Sequence, residues 1–160
     1  MRRVQRTYPV GSVSHGTMRP EDLIDTFCCE LRHQLKHGPS VNRATRKAHF
    51  TLIREIERSM RQKDYFDSEA ASYDLNEGLL DALNEHAAPY MYFGAHIGDG
   101  SDYGYWLSEG FEDDFDSLKV SDLSEVPNGY RGEVLLVTDH GNMTLYVKGA
   151  RKLREIWGLV

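Results

Sequence analysis

The spacing of apolar residues changes once along this chain, at Pro89, and that change narrows the folds open to it. Before Pro89, apolar side chains recur every three or four residues, which places one stripe along a helix. After it, aromatic and β-branched residues gather in short runs separated by Gly, Asp and Asn, the pattern of strands joined by turns. Helices first and strands afterwards predict an α+β fold, with about three N-terminal helices packed on a C-terminal antiparallel sheet of roughly four to five strands.

The helical half divides at recognisable signals. Pro20 with Glu21 and Asp22 opens a first helix, because proline suits the first helical position and acids suit the positive end of the helix dipole. Gly38-Pro39 closes it, and Ile24, Phe27, Cys28, Leu31 and Leu35 form its inward stripe. A second helix is expected from Val41 or Arg43 to about Lys63. Its predicted inward residues are Ala48, Leu52, Ile53, Ile56 and Met60, and Arg43, Arg46, Lys47, Arg54, Arg58 and Arg61 face outward. Asp74 with Glu77 three residues later reads as a capping box that starts a third helix, which Pro89 stops.

Beyond Pro89, residues 90–95 and 103–107 read as strands around a Gly/Asp-rich loop, His96 to Asp102. Residues 133–138 and 143–148 flank Asp139-His140-Gly141-Asn142 as a hairpin, and 153–160 form a last strand. Phe111, Phe115 and Leu118 mark a short acidic helix, followed by a turn at Pro127-Asn128-Gly129. Residues 1–16 lack periodicity and read as a flexible basic arm, which leaves 17–160 as a single α+β domain. Nothing resembles a signal peptide or membrane span, and the adjacent pair Cys28 and Cys29 reads as reduced thiols, so a cytoplasmic protein with no membrane partner is expected.

Charge is segregated along the chain. Residues 1–63 carry thirteen Lys/Arg against six Asp/Glu, whereas 64–139 hold eighteen acids and only Lys119 and Arg131 as bases. Such asymmetry speaks to partners and association rates rather than to fold. Its densest part, Glu109, Glu112, Asp113, Asp114, Asp116, Asp122 and Glu125, is the expected partner-binding surface, with Phe111, Phe115 and Leu118 fastening it to the core. A rigid row of carboxylates can imitate a nucleic-acid backbone, which carries one charge per ~1.7 Å of duplex axis. The expected partner is therefore a basic protein, in the sharpest form a nucleic-acid-binding or defence complex inhibited by a phage- or plasmid-type mimic. The net charge of −6 disfavours direct contact with nucleic acid. Pairing of the basic second helix of one copy with the acidic tract of another would instead give a structural homo-oligomer.

Catalytic signatures are missing: there is no Gly-x-Ser-x-Gly elbow and no Cys-His partnership, so binding is expected over catalysis, without a cofactor. The alternative is a small metal-dependent hydrolase in which His96, Asp99 and Asp102 converge with His140. Cys29, His33 and His37 recur every four residues on the first helix. They lie away from its apolar stripe, and three ligands in line cannot surround a tetrahedral ion.

The tract from Tyr92 to Tyr146, with its aromatic-Gly step, Gly/Asp loop and late Gly-Glu-Val hairpin, resembles the SMI1/KNR4 superfamily of α+β immunity and interaction domains over about a third of the chain. That resemblance implies a protein whose task is to bind another protein.

Overall fold

Helix-opening and helix-closing signals in the first half fall where the chain turns. In the computed structural model, which describes residues 7–160, Pro20 occupies the first turn of α1 (Pro20–His37) and Gly38 ends it. All five predicted stripe residues of α1 are buried, joined by Leu23. The helix α2 (Arg43–Ser59) starts at Asn42, whose side chain accepts from the Thr45 N–H at 2.8 Å. It buries His49, Ile53 and Ile56, with Leu52 and Met60 packed against the core as expected; only Ala48, expected inward, is exposed, and His49 takes its place on the buried face.

The third helix begins earlier than Asp74. Ser68 caps it by accepting from the Ala71 N–H, and α3 (Glu69–Tyr73), a π-helical stretch (Asp74–Leu79) and α4 (Leu80–Asn84) follow one another without a break in helical backbone. Asp74 is no cap: its carboxylate accepts from the Tyr65 hydroxyl at 2.7 Å, from the 3-10 turn Tyr65–Asp67. A tertiary partner has displaced the local capping signal there.

The chain is α+β, as the change of spacing predicts, and within the range expected as one domain it clusters into two compact units, Met1–Trp106 and Leu107–Val160. In the first unit a three-stranded sheet is ordered β1 (Gly11–Ser14), β3 (Asp99–Leu107), β2 (Met91–His96). Phe93 and Tyr105 from this sheet join Phe27, Leu31, Ile53, Leu79 and Leu83 of the helices in one apolar core. Within the segment expected as a loose arm, residues 1–6 lie outside the described residues, while Gly11–Ser14 is an edge strand paired antiparallel with β3. Gly104 permits that pairing. A Cβ there would run into the Gly11 carbonyl and come within 2.8 Å of Ser12 Cα.

The second unit is a four-stranded sheet in sequential order, β4 (Leu118–Val120), β5 (Gly132–Val137), β6 (Met143–Lys148) and β7 (Leu153–Leu159), preceded by one helical turn, α5 (Phe111–Asp114). The predicted hairpin joins β5 to β6, with Leu135 opposite Leu145 and Leu145 opposite Trp157. These cross-strand pairs are its core. The strand β4 pairs parallel with β5, unlike the antiparallel pairing expected throughout, and residues 121–131, which include the 3-10 turn Leu123–Glu125, connect the two.

Candidate functional site

Two aromatic anchors build the acidic surface of the second unit. Gly110 has a positive φ of 76°, which turns the chain sharply into α5. Phe111 and Phe115 are buried with ring centroids 5.5 Å apart, and Phe111 stands edge-on to Trp157 of β7 at 5.6 Å. With these rings held inward, Glu112, Asp113 and Asp114 project to solvent from a single turn, flanked by exposed Glu109 and Asp116. None of the five forms an ion pair among the described residues. Lys119 is committed otherwise: its Nζ donates to the Glu112 backbone carbonyl at 2.8 Å and lies 6.0 Å over the Phe115 ring.

Asp122 and Glu125, exposed like the other five, are also engaged locally. They form a reciprocal cap on the 3-10 turn Leu123–Glu125: Asp122 Oδ1 accepts from the Ser124 N–H at 2.7 Å, and Glu125 Oε1 accepts from the Asp122 N–H at 2.8 Å. The bonds from Ser124 hold the Asp122 carboxyl below the usual carboxylate range. The seven acids singled out in the sequence thus divide into five unpaired carboxylates and two capping ones.

Of the four residues expected to converge on a metal, His96, Asp99 and Asp102 belong to the first unit and His140 to the second. Among the described residues, no three His, Cys, Asp or Glu side chains are placed to hold a metal ion. The expected loop is instead a two-residue turn between β2 and β3, so Asp99 and Asp102 lie on one strand at an odd spacing that puts them on opposite faces. Each residue is engaged locally. His96 Nδ1 accepts from the Gly98 N–H at 3.0 Å, and its ring stands edge-on to Trp106. Asp99 accepts from the Ser101 N–H and hydroxyl at 2.9 and 2.8 Å, which lowers its carboxyl pKa. Asp102 accepts from the Ser12 hydroxyl of β1. His140 sits exposed at the β5–β6 turn of the second unit.

Sequence reasoning missed a buried histidine pair in the first unit. His49 of α2 and His86, just past α4, approach with Nδ1 of the former 3.1 Å from Nε2 of the latter. Glu85 Oε2 lies 3.6 Å from His49 Nε2. Burial lowers the pKa of both rings; that of His86 falls to about 4, with repulsion from His49 as the smaller cause, while Glu85 opposes the fall at His49. No local signal marks these residues, because they lie 37 positions apart.

The first unit also holds a cleft of about 400 Å3 between the start of α1, the Tyr65–Asp67 turn and the π-helical stretch, with Met18, Leu23, Phe66 and Leu75 as its apolar wall. On α2, Arg43, Lys47, Arg54 and Arg58 are exposed as predicted, and Arg46 stacks its guanidinium 5.2 Å from the Phe50 ring centroid. Cys28 is buried and its thiol pushed up to about 12, chiefly by desolvation, whereas Cys29 is exposed. His33 and His37 lie with ring centroids 5.0 Å apart and their planes tilted by 41° on the exposed side of α1.

No protein-family model matches the chain, the superfamily resembled by 92–146 included, and neither a curated protein nor a solved structure matches it.

Proposed function

We propose that this chain is a protein-binding module that presents Glu109, Glu112, Asp113, Asp114 and Asp116 to a basic partner. The observation that carries this reading is the clamped turn of α5. Phe111 and Phe115 point inward, and the five carboxylates around them stay exposed and without ion pairs among the described residues. An ordinary surface intersperses both signs of charge; here Lys119, the basic residue nearest in sequence, is tied to a backbone carbonyl. Singly, an exposed ion pair contributes less than about 1 kcal/mol. A preformed row acts collectively, by steering a partner of opposite charge and fixing its orientation. The sharpest form of the proposal is an inhibitor that occupies the basic groove of a nucleic-acid-binding complex, as phage- and plasmid-encoded anti-defence proteins do.

The test compares capture from bacterial lysate by the intact protein and by a variant carrying E112Q, D113N, D114N and D116N. Capture of a basic nucleic-acid-binding protein by the intact chain only, with release by duplex DNA or by raised salt, is the expected result. Identical capture by both proteins, or retention insensitive to salt and DNA, would refute the proposal.

A further inference from the structure

The cleft of the first unit has a lining that selects for one kind of ligand. Among its lining residues a single formal charge is present, the carboxylate of Asp67, which is exposed and makes no ion pair among the described residues. Two aromatic rings, Phe66 and Tyr103, share the lining with it. A lining that combines a carboxylate with aromatic rings suits a planar guanidinium better than an ammonium, because a guanidinium can stack on a ring while its N–H fork engages the two carboxylate oxygens. The apolar wall of Met18, Leu23, Phe66 and Leu75 suits the methylene stem of the same side chain.

Asn76, also in the lining, adds an acceptor. Asn76 Nδ2 donates to the Ser72 carbonyl at 2.9 Å, which leaves the Asn76 side-chain oxygen to accept from a ligand. Leu75 and Asn76 belong to the π-helical stretch Asp74–Leu79, a widened turn of the kind that recurs at functional sites. The bond from the Tyr65 hydroxyl to Asp74 ties that stretch to the turn bearing Phe66 and Asp67, so both sides of the cleft are held before any ligand arrives. At about 400 Å3, the space falls at the small end of the ligand-site range, roughly 300–1,000 Å3.

From this arrangement we infer that the cleft is a binding site for a guanidinium group on an aliphatic stem, meaning arginine or an arginine side chain of a peptide. The site is independent of the acidic surface of the second unit, and neither proposal depends on the other.

The experiment is titration of the full chain, followed residue by residue by NMR, with Nα-acetyl-arginine amide, free arginine and Nα-acetyl-citrulline amide, the uncharged isostere. Saturable shifts at Asp67, Ser72, Asn76 and Tyr103 are expected with the arginine compounds. Binding should be about ten-fold weaker for the citrulline compound and for the D67N variant, a neutral swap at an exposed residue. Tighter binding of the capped amide assigns the site to a peptide, tighter binding of free arginine to a small molecule, and either supports the inference. Equal affinity for the citrulline compound, an unchanged D67N variant, or no saturable shift at these residues would overturn it.

Discussion

His49 and His86 share one hydrogen bond, Nδ1 to Nε2 at 3.1 Å, and only one proton can lie in it. With Glu85 beside His49 Nε2, the favoured arrangement puts a proton on that nitrogen and a second on His86 Nε2, which donates to His49 Nδ1. His86 Nδ1 is then a bare lone pair, buried and without a partner among the described residues. Protonating the pair must place a proton on that nitrogen, where no acceptor waits.

A pH dependence of stability follows. The folded pKa of His86, about 4, lies below its ordinary value of 6.5, so both states are neutral well above 6.5 and the pair costs nothing there. As pH falls below 6.5, the unfolded chain binds the proton and the folded chain resists, so stability drops until pH passes about 4. Between pH 7 and 5 the loss is about 2 kcal/mol, from one 1.36 kcal/mol step per pKa unit. Urea unfolding at several pH values measures it, and H86F should make the curve shallower over that window whatever its absolute stability, His49 accounting for the slope that remains. A wild-type curve already flat between pH 7 and 5 would contradict the account.

Asp122 and Glu125 should separate from the other acids. D122A removes an acceptor from the 3-10 cap and should lower the midpoint of thermal unfolding slightly. Partner affinity should stay near wild type, because the five unpaired carboxylates are untouched. Loss of binding with unchanged stability would return Asp122 to the interface.

Conversely, Phe111 should control the surface without carrying charge. F111A empties a site that is 3% exposed and packed on Phe115 and Trp157, at a cost of about 3–5 kcal/mol. It should weaken partner capture as much as removing two carboxylates does. Near-UV circular dichroism of Trp157 would report the lost packing, and wild-type capture by F111A would show that the row needs no anchor.

What the sequence makes legible here is local. The α1 stripe, the Asp139–Asn142 hairpin and the Phe111/Phe115 anchors are each written within a few residues of one another, and each forms as written. The features that escape are settled by partners far along the chain. β1 looks like an unpatterned arm until Gly104, some ninety residues on, admits its backbone. Asp74 reads as a cap until Tyr65 claims its carboxylate. The inward face of α2 misses its buried histidine, since a polar residue at position 49 earns its place only through His86. The Gly/Asp-rich stretch reads as a loop because Gly and Asp favour turns, yet strand pairing extends β3 back to Asp99.

Gly104 offers a direct test of the β1 pairing. In G104A the added methyl would meet backbone of Gly11 and Ser12, which cannot rotate aside as a side chain can. The conflict is relieved by releasing β1, with a stability loss of about 2 kcal/mol.

Hydrogen exchange should show the change as loss of protection at Gly11–Ser14, with α1 still protected. Wild-type protection of that strand would mean the sheet accommodates the methyl.

The adjacent thiols should differ in reactivity. Thiolate is the reactive form, and Cys28 is 2% exposed with its thiol pushed up to about 12 by desolvation, so at pH 8 it holds almost no thiolate and offers no access. Cys29 points outward one position along α1, so an aromatic disulfide reagent should titrate one thiol per folded chain and two after unfolding in urea. Because Cys28 packs in the same core as Phe27 and Leu31, the rate of its slow modification reports the opening of α1 from that core. That rate should rise in G104A if β1 braces α1, and match wild type if the strand is only an edge. Two fast thiols in the native protein would place Cys28 at the surface and break the packing described for α1.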